Sequence, residues 1–194
     1  MPKTKQTAKN RERIMAARNV FDYLSAQSVQ TIEKGGSIEA TVYAIFYPPE
    51  KRDMVVFPVP LPTGEDSDAD TRRALMSLLG VFLSDKGVDP LMFISVTEAW
   101  SSKQARDGVI IAPSKDPKRE EILIVSAKDV NSDERFSVFT INREKSVTLK
   151  KTNLFGDTDF INEDDWNVKS NTLSESLLDH AWKAFIDRSK DKSR

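Results

Sequence analysis

Cysteine is absent from the 194 residues, which excludes disulfides, thiolate metal sites and cysteine nucleophiles. Histidine occurs once, at His180, so zinc sites built on several histidines are excluded as well. From only seven glycines, neither the G-x-x-x-x-G-K-[ST] phosphate loop nor the G-x-G-x-x-G dinucleotide turn can be written. A G-x-S-x-G nucleophile elbow is missing too. No apolar run approaches the roughly 20 residues of a membrane span. The opening MPKTKQTAKNRER lacks the apolar stretch of a secretion signal. Charge of one sign is not in excess, with 29 basic side chains facing 30 acidic ones. The expectation is a cytoplasmic chain with no membrane contact, no cofactor and no metal.

What is present suits a packed fold. A chain of this length can hide roughly 70% of its extended surface, and no Gly/Ser linker divides it, so a single domain over 1–194 is expected. Residues 1–18 carry Lys3, Lys5, Lys9, Arg11, Arg13 and Arg18 against Glu12 alone, a basic arm whose first part is residues 1–9. From about Asn10 the spacing of Ile14, Ala17, Val20, Phe21 and Leu24 predicts a helix that ends near Gly35-Gly36. Strict alternation follows: Ile38, Ala40, Val42, Ala44 and Phe46 on one strand face, Tyr43, Ile45 and Tyr47 on the other. Met54 to Phe57 reads as its partner, and FPVPLP as edge or polyproline-like chain, because proline cannot donate to a ladder. Asp68 or Asp70 caps a second helix whose predicted buried stripe is Leu75, Leu78, Leu79 and Phe82. Within it, Gly80 marks a close approach to the sheet.

Strands are predicted at 91–100, 120–127, 134–141 and 146–150, the second central because Ile122 to Val125 is apolar on both faces. Residues 101–119 form a mobile loop. A last helix starts at Thr172, where T-L-S-E makes a capping box, with Leu178, Ala181, Trp182 and Phe185 as its stripe. The fold class is therefore α+β: a single, mostly antiparallel sheet of about six strands with three helices largely on one face.

Candidate chemistry is sparse. Glu98 shares a strand face with Met92, Ile94, Val96 and Trp100, where burial opposes ionisation, so it is the candidate catalytic carboxylate. Glu121 and Lys128 complete a divalent-metal hydrolase reading, most plausibly a nuclease, since such sites need clustered carboxylates and often a lysine. Asp116-Pro117-Lys118 has D-x-K spacing on a proline-interrupted loop. Asp66, Asp68 and Asp70 open like a calcium loop, but Thr71 and Ser77 stand where glycine and glutamate are required. Asp179 precedes His180 on the last helix, where adjacent side chains diverge by about 100° and do not pair. The basic arm suits phosphate contacts. Tyr43 and Tyr47 suit a protein interface or self-association.

At FISVTEAW (93–100) and PSKDPKREEILIVSAKD (113–129) the chain resembles a loose group of phage and bacterial proteins in which an S/T-E-A-W strand is followed by a D-P-x-R-E-E strand. The resemblance brings no assigned activity. It implies a phage or mobile-element accessory protein that binds host machinery. The leading expectation is a non-enzymatic interaction module that docks a host protein or itself; the alternatives are metal-dependent hydrolysis at Glu98 and nucleic-acid binding through the arm.

Overall fold

The computed structural model describes residues 8–48, 53–63, 68–101, 105–106, 109–110, 119–143, 148–151 and 177–192. Helix α1 spans Ala8–Glu33. Its Ile14, Ala17, Phe21, Ser28 and Ile32 recur at helical steps and are buried. Gly35 ends it with φ +83°, a left-handed conformation that glycine adopts without penalty. There Gly35 N–H donates to Ile32 O (2.8 Å) and Gly36 N–H to Thr31 O (3.0 Å), the two bonds of a Schellman cap.

Strands β1 (Thr41–Phe46) and β2 (Val55–Pro60) pair antiparallel, and β1 also pairs with β3 (Pro90–Ser101). The sheet continues through β6 (Glu120–Asp129), β7 (Glu134–Asn142) and β8 (Thr148–Lys151), in the order β2-β1-β3-β6-β7-β8. Five of these strands have six residues or more, and β8 is a four-residue edge. Every pairing is antiparallel. Pro58 and Pro60 are residues of the edge strand β2, the extended-edge reading of FPVPLP, where the missing N–H is tolerated. Within the connection expected to be mobile, β4 (Ala105–Arg106) and β5 (Val109–Ile110) pair as a small ribbon. The T-L-S-E box at Thr172 and the basic residues Lys3 and Lys5 lie outside the described residues.

Helices α2 (Ala69–Asp85) and α3 (Leu177–Asp191) pack against each other. Asp68 caps α2, its Oδ1 accepting from Thr71 N–H at 2.6 Å. The expected placement of the helices largely on one face is corrected by the core. On one face, Ala17, Phe21 and Ile32 of α1 pack with Ile45, Met92, Ile94, Leu123 and Val125. On the other, Met76, Leu79, Leu83, Leu178, Ala181 and Trp182 of α2 and α3 pack with Val42, Ala44 and Phe93. The sheet is thus a middle layer, which is why β1, β3 and β6 are apolar in both parities.

Two further expectations change. The buried stripe of α2 is Met76, Leu79, Gly80 and Leu83, while Leu78 and Phe82 are 65% and 48% exposed. Gly80 approaches α3 and not the sheet: a Cβ there would lie 2.2 Å from Ala181 O and 2.8 Å from Phe185 N. The absence of a side chain lets the two backbones meet.

Candidate functional site

Alternation along β3 turns Glu98 toward the α1 face, and the register sets it opposite Leu123, one step diagonal to Glu121 on β6. Ile141 stands opposite Glu121 on β7, so Arg143, just past that strand, reaches the same spot. Its guanidinium grips Glu121 in a two-pronged pair, Nε to Oε2 at 2.9 Å and Nη2 to Oε1 at 3.0 Å. The same Nη2 donates to Glu98 Oε2 at 3.0 Å, and Nη1 to Gly36 O at 3.3 Å. Ile38 N–H donates to Glu98 Oε1.

Burial pushes the Glu98 carboxyl above its ordinary range, opposed by the Ile38 N–H and reinforced by the neighbouring Glu121. The Arg143 hydrogen bonds hold Glu121 below its ordinary range against the effect of burial. The two carboxyls are thus shifted in opposite directions, Glu98 up and Glu121 down. Chemically this is a clamp that joins three strands to the C-terminal cap of α1. Among the described residues, no three acidic or histidine side chains converge as a metal would need.

Lys128, proposed alongside these acids, is elsewhere. It stands opposite Phe93, hence on the α2–α3 face and toward the other end of β6. It pairs with Glu134 at 2.8 Å and with Asp179. Burial works against its charge, yet those two carboxylates outweigh it and hold the pKa above the usual lysine range. Trp182 Nε1 donates to the Lys128 carbonyl at 3.3 Å, pinning α3 to the sheet. The three nominated catalytic residues thus divide between two structural ion-pair groups.

The basic arm divides as well. Arg18 binds Asp129 and Asp133 across the α1–sheet seam, both at 2.6 Å. Asp129 is 1% exposed and also accepts the Asn131 and Asp133 N–H groups at 2.9 and 3.1 Å. Lys9 and Arg11 are exposed on the first turns of α1. Arg13 lies over the Tyr47 ring, 4.4 Å from its centroid. Tyr43 packs against the α1 core, where burial raises its phenol above the ordinary value.

The Arg13–Tyr47 stack borders a cleft of about 510 Å3 beyond the end of the sheet, where α1 overhangs the β6–β7 turn. Ile14, Leu91, Val130 and Phe185 supply apolar lining; Asn10, Asp89 and Asn131 supply the polar groups. A second groove of about 550 Å3, lined by Lys9, Glu12 and Ala16, shares Arg13 and Tyr47 with it. Arg13 and Tyr47 were each nominated from sequence, for different roles; their contact was not, because it needs the end of β1 brought back to the start of α1. Arg143 carried no sequence signal beyond its place in the turn after a strand.

No family model, no curated protein and no solved structure matches the chain.

Proposed function

We propose that the chain works by binding, as an accessory interaction module that docks a protein partner at the Arg13–Tyr47 cleft. One contrast carries this reading. The charges nominated for catalysis are each held by opposite charges, Glu98 and Glu121 by Arg143, Lys128 by Glu134 and Asp179. Arg13, by comparison, pairs with no carboxylate among the described residues and opens onto a cleft. A guanidinium on an aromatic ring, beside apolar floor, has the composition of an interface anchor. A cytoplasmic accessory protein of phage or mobile-element origin accords with it. No described helix is long and apolar enough to cross a membrane.

The convergence of Glu98 and Glu121 favours a second reading, metal-dependent hydrolysis, because a divalent ion displacing Arg143 would meet two carboxylates. One assay separates the two. DNA and RNA incubated with the chain in Mg2+ or Mn2+ remain intact under the binding reading. Cleavage that is lost in a folded Glu98→Gln variant overturns it. Nucleic-acid binding through Lys9 and Arg11, by contrast, requires retention on oligonucleotides that weakens steeply with salt.

A further inference from the structure

The cleft at the start of α1 brings charge, aromatic surface and apolar floor together. We infer that it takes an acidic peptide: an extended segment of a partner protein whose Asp or Glu carboxylate sits on Arg13 while a neighbouring apolar side chain rests on Ile14, Leu91 and Val130. This inference rests on the binding reading above and supplies its ligand class.

Four observations select this occupant. First, the Arg13 guanidinium carbon lies over the Tyr47 ring, 4.4 Å from its centroid, and a guanidinium held by an aromatic face suits a two-pronged carboxylate. Second, the two depressions flank that stack and share both of its residues. Two depressions that meet at one guanidinium suit an extended chain more than a compact metabolite. Third, Asn10 and Asn131 on the wall offer amides, which donate and accept and so match a peptide backbone. Fourth, Asp89 in the cleft and Glu12 in the groove oppose a polyanion, whose charges repeat along its whole length.

The test is a titration of the full, 15N-labelled chain followed by two-dimensional NMR. The probes are the blocked dipeptide acetyl-leucyl-glutamyl-amide, its glutaminyl counterpart, inorganic phosphate and a short single-stranded oligonucleotide. The glutamyl probe is expected to move the Arg13 Nε–H signal and the side-chain amides of Asn10 and Asn131. The glutaminyl probe is expected to bind about tenfold more weakly, the lower end of what a charged hydrogen-bond pair contributes. Arg13→Gln, on the surface of α1, is expected to bring the glutamyl probe down to that level with the rest of the spectrum unchanged. Equal responses to the two dipeptides, no response at these signals, or a stronger response to phosphate or oligonucleotide would each overturn the inference. Peptide shifts confined to Leu78 and Phe82 overturn the cleft as the docking site proposed above, but not binding as the mode of action. Glu98-dependent cleavage removes the reading itself, whatever the peptides do.

Discussion

Replacing Gly80 by alanine tests the α2–α3 contact more sharply than any core truncation, because two effects of opposite sign compete at one atom. On helix propensity alone the substitution stabilises by about 1 kcal/mol. Gly80 has no positive φ to argue against a side chain. The new methyl, however, would sit 2.2 Å from Ala181 O and 2.8 Å from Phe185 N, both backbone atoms of α3 that cannot rotate away. Relief requires α3 to retreat by roughly 1 Å, a gap that forfeits about a quarter to a half of each contact's dispersion energy along the seam. That seam holds Met76, Leu83, Leu178, Ala181 and Trp182. Overpacking of this kind costs about 1–3 kcal/mol, and the retreat adds the loosened seam. The net expectation is a loss of about 2 kcal/mol. With a urea slope of roughly 2 kcal/mol per molar, typical for small proteins, the unfolding midpoint falls by about 1 M. Ala184→Gly should not rescue it, since Ala184 Cβ, at 3.1 Å, is the least of the three contacts. An unchanged or raised midpoint would refute the close approach and return Gly80 to the status of an ordinary helix position.

Other perturbations read other parts of the fold. The raised carboxyl of Glu98 disfavours its ionisation in the folded state, so its contribution declines as pH climbs from the unfolded value toward the folded one. Glu98→Gln should therefore gain stability relative to the parent as pH rises through that window, with the difference constant below it; a flat difference across the window in urea titrations would contradict the burial. Arg143→Ala leaves two neighbouring carboxylates without their clamp and should cost about 1–2 kcal/mol near neutral pH, less in mild acid, measured by the same titration. Asp129→Ala removes the buried partner of Arg18 and should cost about 3 kcal/mol in thermal or urea unfolding. On α2, Leu83→Ala should cost about 2–5 kcal/mol, whereas Phe82→Ser, at a half-exposed position, should stay within about 0.5 kcal/mol.

The last pair bears on what could be read in the chain. Around α2 the apolar residues are dense enough for two stripes offset by one position. Sequence spacing alone places Leu75, Leu78, Leu79 and Phe82 on the buried stripe. The fold uses Met76, Leu79, Gly80 and Leu83, because a helix pair gains most where its backbones approach closest, and the small residue marks that line. Strand periodicity was legible in the main sheet, where β1, the central β6 and β7 lie where alternation puts them, but not in the β4–β5 ribbon. Layering was not, although the signal existed in Ile122 to Val125. A strand apolar on both faces says that both faces are covered, and so demands helices on each side.

The charges were the least legible, for a physical reason. Whether a carboxylate is chemistry or mortar depends on which cation lies within about 3 Å of it, and that is decided by strand register and by where loops return. Glu98 was rightly singled out as an acid on an apolar face. What neutralises it arrives from a turn 45 residues later, through Arg143. Lys128 reads from sequence as the lysine of a hydrolase centred on Glu98, yet strand parity sends it through the sheet to Asp179 on α3, 51 residues away. Arg18 likewise finds Asp129 across 111 residues. In each case the fold spends a charge on joining layers: α1 to the sheet at its middle and at its C-terminal cap, α3 to the opposite face. A three-layer arrangement needs such ties, because helices resting on apolar sheet surface are held in place by hydrophobic contact that has no direction of its own. Arg13 makes no such tie among the described residues; it stacks on Tyr47 at the edge of the cleft instead.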